Sequence, residues 1–198
     1  MDKSEVARRQ LGVALDMFLR KQDPISIHTL AMAGGEIAEW LAKKAGAEPF
    51  IGHIQRTFPG MTESEIRRIQ RKFSNAFKHA LTKKGGDRGD DSLIESFDPD
   101  VNVHVLWHSW KDYGQSLLPL PIEAQVFDAW YFAKHVEKVS PEADISAIEK
   151  VFPNLASLST QRQHERLLGV IRKTKKNGVV MSDPLTDRRP LVLSWAAS

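Results

Sequence analysis

The sequence contains no cysteine among its 198 residues. This absence excludes disulfide bonds, zinc–thiolate sites, iron–sulfur clusters and thiol nucleophiles, and it fits a reducing compartment. No stretch reaches the roughly 18 apolar residues of a membrane span, and residues 1–9 lack the apolar core of a signal peptide. We therefore expect a soluble, cytoplasmic protein with no membrane partner.

Common catalytic motifs are also absent. The sequence has no Gly-x-Ser-x-Gly, P-loop or His-Glu-x-x-His motif, and no Glu-x-x-His pair of the di-iron bundles. His104, His108 and Asp112 follow one another at i, i+4 and i+8, a spacing that can bind a divalent metal, but Lys111 shares their face. We expect no bound metal and no cofactor.

Charge is unevenly distributed along the chain, although the net charge is only +3. Residues 66–88 carry eight lysines and arginines against one aspartate, residues 89–149 are acidic, and residues 150–198 are basic again. One interpretation is that the acidic middle packs beside the basic segments and neutralises them. The other is that the basic segments form a surface for nucleic acid or another anion.

Apolar residues recur at helical spacing along most of the chain, which predicts an all-α bundle of about seven helices. Asp23-Pro24 is typical of a helix start, and Thr62 to Glu65 reads as a capping box before a helix over 63–82. Gly34-Gly35 inside the second helix indicates a close approach by another backbone, or a bend. The prediction is a helical domain over 1–176, with residues 177–198 packed on it as an extended or hairpin tail.

Two histidines stand out as candidates for a polar site. His79 lies one helical turn after Asn75, with Arg68 and Arg71 on the same side, opposite the apolar stripe of that helix. A histidine beside an amide and cations can act as an acid or base, or bind phosphate. The candidate catalytic residues are therefore His79 and Asn75, and the candidate ligand-binding residues are His28, Glu36, Arg71 and Arg68.

Two motifs carry a resemblance to a known family. Ser-Ile-His-Thr-Leu-Ala at 26–31, followed by Glu36-Ile37, and Asn-Ala-Phe-Lys-His-Ala at 75–80, with Phe97-Asp98-Pro99 after them, resemble a family of uncharacterised bacterial proteins. The resemblance covers roughly residues 8–135. It implies a small cytosolic helical protein and gives no activity.

Asn75 and His79 are also similar, more weakly, to the motif of the helical HEPN superfamily. That motif is an arginine, usually followed by a polar residue, with a histidine four to six residues after the arginine. Ser74 stands where the arginine would be, and Arg71 lies further from His79 than the motif allows. The resemblance implies ribonuclease or nucleotide-handling activity.

Two functions follow from the sequence, and whether the protein is an enzyme stays open. The first is a small helical binding protein, expected as a homodimer, whose polar site is lined by His28, Glu36, Asn75 and His79. The alternative is a HEPN-like RNA-binding or RNA-cleaving enzyme, with His79 as the acid/base and Arg71 or Arg68 holding phosphate.

Overall fold

The computed structural model describes residues 1–140 and 143–194, and over this part the chain is mainly helical, which confirms the all-α prediction. The described elements are α1 (Lys3–Leu19), α2 (Pro24–Lys44), α3 (Phe50–Thr57), α4 (Glu63–Lys78), α5 (Asp91–Glu95), α6 (Val101–Gln115), β1 (Leu120–Pro121), α7 (Ile122–Lys134), α8 (Ser146–Val151), α9 (Thr160–Thr174), α10 (Gly178–Ser182) and β2 (Thr186–Asp187). None of the helices in these ranges is long and apolar enough to cross a membrane.

The chain forms two compact units, Met1–Leu117 and Leu118–Ser198. This boundary differs from the division into 1–176 and 177–198 expected from the sequence. The reason lies in the tail, because β2 pairs in parallel with β1 at the start of the second unit. The tail therefore belongs with the residues that directly follow Leu117.

The first unit is built around α2, which packs against α1 on one side and α6 on the other. Asp2 begins α1 by accepting a hydrogen bond from the Glu5 backbone N–H at 2.9 Å. Asp23 begins α2 in the same way, accepting from the Ser26 N–H at 2.7 Å, with Pro24 in the first turn. The predicted start at Asp23-Pro24 is thereby confirmed, and these caps satisfy helix-start N–H groups that would otherwise lack partners.

Two glycines allow α2 to lie this close to its neighbours. A Cβ added to Gly34 would come within 2.8 Å of the Leu11 side chain on α1, and one added to Gly35 would overlap Ser109 Oγ on α6. The two glycines are closely packed, but the nearest atoms belong to neighbouring side chains and not to the second backbone that was predicted.

The buried face of α2 does not follow its large apolar residues. Leu30, Ile37 and Leu41 are only half-buried. The buried positions are mostly small, because a helix held between two others needs short side chains to let them approach. They are Ile27, His28, Ala31, Met32, Gly34, Gly35, Ala38 and Ala42.

Helix α4 begins with the predicted capping box. Glu65 Oε2 accepts from the Thr62 backbone N–H at 2.8 Å, and Thr62 Oγ1 accepts from the Glu65 N–H at 3.3 Å. The helix ends at Lys78, before the predicted end at Thr82. The chain then makes a turn in which Leu81 bridges to Asp87, so residues 79–82 are not helical.

The second unit has a core between α7 and α9. Phe127 and Leu167 are fully buried, and the Trp130 indole N–H donates to the Gln163 carbonyl at 3.0 Å. The tail is neither a hairpin nor wholly extended, since it contains the short helix α10 before β2. The sequence missed α10 and α5, which are each five residues long. Trp195, at the end of the predicted hairpin, lies outside the described residues.

Candidate functional site

The outward side of α4 is cationic. Arg68, Lys72, Asn75 and His79 fall within about 60° of one another around the helix axis, at 100° per residue. Arg68, Lys72 and His79 are exposed, and Asn75 is half-buried. The exposed cations on this side, at the last residue of the helix and in the following turn make up what we call the α4 cationic face: Arg68, Lys72, Lys78, Lys83 and Lys84.

No member of the α4 cationic face forms an ion pair with a carboxylate in the part of the chain that the structure describes. The closest interaction within the group is that of Lys72, whose Nζ lies 4.5 Å from the centre of the Phe73 ring. The turn that carries Lys83 and Lys84 is held by the Thr82 N–H, which donates to the Gly86 carbonyl at 2.7 Å. The charges of this surface are therefore available to an external anion.

The inward side of α4 is different, because its arginines are paired with α2. Arg67 donates to both carboxylate oxygens of Glu39, at 2.6 and 3.0 Å, and also pairs with Glu63 at 2.6 Å. Arg71 Nη2 lies 3.0 Å from Glu36 Oε1. The structure thus brings together two of the sequence-predicted ligand-binding residues, Arg71 and Glu36, as partners of each other.

Glu39 is the strongest electrostatic feature of this inner side. Burial alone would raise the pKa of Glu39, but hydrogen bonds from Arg67 and Lys43 outweigh it and lower the pKa to about 2. The hydrogen bond with Glu39 in turn raises the pKa of Arg67 above its usual value. The pair therefore stays ionised at any pH near neutrality, as expected for a structural ion pair.

A small pocket lies beside this pair, enclosed by α2, α3, α4 and α6 and lined by Glu39, Arg67, His108 and Asp112 among others. Its internal volume is about 30 Å³. This is room for one or two water molecules, whereas pockets for organic ligands measure roughly 300 to 1,000 Å³. The pocket is too small to hold a substrate.

Two titratable groups at the pocket have displaced pKa values. Burial raises the pKa of Asp112 to about 6, against the effect of the Phe50 backbone N–H, which donates to Asp112 Oδ1 at 2.7 Å. Burial lowers the pKa of His108 to about 4, and the charge of His104 adds to this effect. The His108 ring is stacked on Phe50, with centroids 5.7 Å apart. Both groups thus hold the start of α3 against α6.

This arrangement explains the i, i+4, i+8 pattern of His104, His108 and Asp112. Two of the three side chains, His108 and Asp112, hold the start of α3, a role that the sequence did not indicate. Across residues 1–140 and 143–194, no group of three or more histidine and carboxylate side chains is arranged to hold a metal ion.

His28 lies inside the core of the first unit and is fully buried. Its Nδ1 lies 3.0 Å from Asn102 Oδ1, and its ring contacts Phe77 and Phe97 edge-on at 5.7 and 5.4 Å. Burial lowers the pKa of His28, and the hydrogen bond to Asn102 opposes that shift only in part. The residue is a neutral component of an aromatic cluster.

The four residues expected to line one polar site are thus in three different environments. His28 is buried among phenylalanines, and Glu36 on α2 is paired with Arg71 on the inner side of α4. Asn75 is half-buried on the outward side of α4, and His79 is exposed just after the last residue of that helix. Among the described residues, no hydrogen bond or ion pair joins His28 or Glu36 to Asn75 or His79. The sequence did not single out the Glu39–Arg67 pair, although the i, i+4 spacing of Glu39 to Lys43 and of Glu63 to Arg67 was a usable signal.

The geometry therefore describes a helical protein with a cationic outer face and a closed, ion-paired interior. In comparisons with known proteins, no family model, no curated protein and no solved structure matches the chain. The resemblances to a bacterial helical family and to the HEPN superfamily stay predictions.

Proposed function

We propose that this protein binds single-stranded RNA, weakly and without strong sequence preference, through the α4 cationic face. The observation that carries the proposal is the contrast between the two sides of α4. Arg67 and Arg71 on the inner side are paired with carboxylates, whereas Arg68 and Lys72 on the outer side have no such partner among the described residues.

Unpaired cations on a regular element are suited to a polyanion. Arg68 and Lys72 are one helical turn apart, and Lys78, Lys83 and Lys84 continue the positive surface past the end of the helix. Phosphate contacts supply most of the affinity of non-specific nucleic-acid binding. A surface with few aromatic groups for base stacking should therefore bind with micromolar or weaker affinity and high salt sensitivity.

Cleavage of the bound RNA is a second candidate function. His79 is exposed at the end of the α4 cationic face, where it would meet a phosphate held by the neighbouring lysines. An exposed histidine can act as an acid or base near neutral pH. Arg71 is engaged by Glu36 at 3.0 Å, which leaves Arg68 as the arginine better placed to hold phosphate.

The test is a titration of fluorescein-labelled single-stranded RNA, followed by anisotropy at several salt concentrations. Each phosphate contact contributes about 0.7 to the slope of log affinity against log salt for a single strand. The double variant Arg68→Gln/Lys72→Gln should therefore bind more weakly and lower this slope by about 1.4. The matched control is Lys3→Gln/Lys44→Gln, which removes two exposed cations elsewhere in the first unit and should leave the slope unchanged.

Three results would overturn the proposal: no binding at low salt, a salt slope that the Arg68→Gln/Lys72→Gln pair does not change, or an equal loss in the control variant. The same samples report on cleavage. Breakdown of the RNA that disappears in His79→Ala, while binding is kept, would support the HEPN-like activity. If the RNA stays intact throughout the titration, the protein binds RNA without cleaving it.

A further inference from the structure

The second unit contains an open groove that none of the functions above uses. It runs between α9 on one side and, on the other, the end of α8 with the segment that follows it, and it has a volume of about 720 Å³. Gly169 lies in the groove, and a Cβ added there would meet no atom of the described residues within 4 Å. This volume falls within the range that ligand sites occupy.

The rim of the groove is strongly basic. Arg162, Arg166 and Lys173 project from one side of α9 at helical spacing, and Lys150 faces them from α8. Of the described residues that line the groove, only Glu165 has a carboxylate, and it accepts a hydrogen bond from Gln161 Nε2 at 3.0 Å. Within the described ranges none of these four cations forms an ion pair.

The rest of the groove is aliphatic. Val151, Pro153, Leu158 and Val170 contribute its apolar surface, and Val151 is 46% exposed. Among the residues that the structure describes, none of those lining the groove is aromatic. An aliphatic surface offers little to a phosphate backbone but gains free energy by burying apolar side chains, so the lining favours an anion that carries apolar groups as well as charge.

We propose that this groove binds an acidic, leucine-rich peptide segment of a partner protein. The four cations complement the acidic side chains of the peptide, and the aliphatic surface takes up its leucines. Helix α9 has 15 residues, which at 1.5 Å per residue is about 22 Å. An extended peptide of about seven residues matches that length at roughly 3.3 Å per residue. The proposal does not depend on RNA binding by the first unit.

The probe for the test is a fluorescein-labelled peptide of about seven residues in which glutamate and leucine alternate, matching the length above. Two further peptides separate the contributions: one with glutamine in place of glutamate and one with serine in place of leucine. We expect the full-length protein to bind the first peptide and to bind each of the others at least about tenfold more weakly, since each lacks one of the two complementary features.

Gly169→Leu fills the groove without disturbing the fold, because the site is open and leucine is a better helix former than glycine. It should weaken peptide binding by about tenfold or more and leave the melting temperature unchanged or higher. Arg162→Gln/Arg166→Gln should weaken binding several-fold. The matched control, Arg172→Gln/Lys176→Gln, removes two exposed cations that do not line the groove and should have little effect.

The proposal is overturned if the first peptide does not bind, or if Gly169→Leu binds it as well as the original protein does. It is also overturned if the serine-containing peptide or unlabelled single-stranded RNA competes as well as the first peptide, since the groove would then be a non-specific anion surface. Arg68→Gln/Lys72→Gln should leave peptide binding intact, so this result separates the groove from the proposed RNA site.

Discussion

The interior pocket of the first unit and the groove of the second unit are both lined by arginines, but they differ in what accompanies them. In the pocket, Arg67 is matched by Glu39 and Glu63, and the free volume is about 30 Å³. In the groove, the described lining residues include four cations and one carboxylate, and the free volume is about 720 Å³. The positive charge in the pocket is balanced by carboxylates of the protein itself, whereas the positive charge of the groove needs an external anion.

This difference shows how the charges of this chain should be interpreted. Residues 66–88 and 150–198 are both basic in the sequence, yet the structure divides the first segment into paired and unpaired cations. Pairing and free volume, rather than net charge, separate a residue that stabilises the fold from one that binds a ligand. The following predictions test this distinction, from the largest expected effect to the smallest.

Asp112→Asn should stabilise the protein at alkaline pH. Burial raises the pKa of Asp112 to about 6, above its value in the unfolded chain. The stability that protonated Asp112 contributes is therefore complete below about pH 4 and is lost as the pH rises through about 6. At about 1.4 kcal/mol per pKa unit, the variant should gain up to about 3 kcal/mol at pH 8.

The pH dependence is the control for this prediction. The amide of the Asp112→Asn variant can still accept the hydrogen bond from the Phe50 N–H, so α3 keeps its anchor. Urea unfolding at about pH 4 and at pH 8 should show the difference only at the higher pH. A gain in unfolding free energy that is equal at both values would contradict the interpretation of Asp112 as a buried acid.

Glu39→Gln should destabilise the first unit by about 2 kcal/mol near neutral pH, because it breaks a largely buried set of hydrogen bonds between ionised groups. The pKa of Glu39 is lowered to about 2, so its contribution is present above about pH 4.5 and is lost as the pH falls towards 2. Glu36→Gln is the matched control. Its carboxylate is 49% exposed, and the loss should stay below about 1 kcal/mol. Equal losses in the two variants would show that burial does not strengthen the inner pair.

Gly35→Ala should destabilise the protein by about 1.5 kcal/mol, since the new methyl group overlaps Ser109 Oγ in a closely packed contact. Ser109 is fully buried and cannot move into solvent. Adding Ser109→Ala should recover part of the loss, which thermal unfolding of the single and double variants would measure. If Gly35→Ala unfolds at the original temperature, α2 and α6 are further apart than described.

The fold was largely predictable from the sequence, because its helices carry clear local signals. Asp23-Pro24 and the Thr62–Glu65 box placed two helix starts correctly, and Gly34-Gly35 marked the close packing of α2. The elements that could not be predicted either depend on contacts with residues far away in the sequence or are too short to show a pattern. The two-residue strand β2 exists because it pairs with β1, and α5 and α10 are each too short to show a periodic pattern.

The candidate site was less predictable, because helical spacing gives the side of a helix but not what lies against it. His28 falls outside the stripe of large apolar residues on α2, yet it is buried, since α2 is covered on two sides. Arg68 and Arg71 are three residues apart, but the ion pair with Glu36 holds only Arg71. The groove along α9 gave no signal, because Gly169 in a helical pattern can mean either close packing or open space.

Gly169→Ala distinguishes these two meanings of a helical glycine. The position is inside α9 and has no neighbour within 4 Å of the added methyl group. The substitution should therefore stabilise the protein by up to about 1 kcal/mol, the difference in helix propensity between glycine and alanine. Thermal unfolding of Gly169→Ala and Gly35→Ala should give shifts of opposite sign. A loss of stability in Gly169→Ala would mean that α9 is covered at this position, and the proposed groove would then be closed to a peptide.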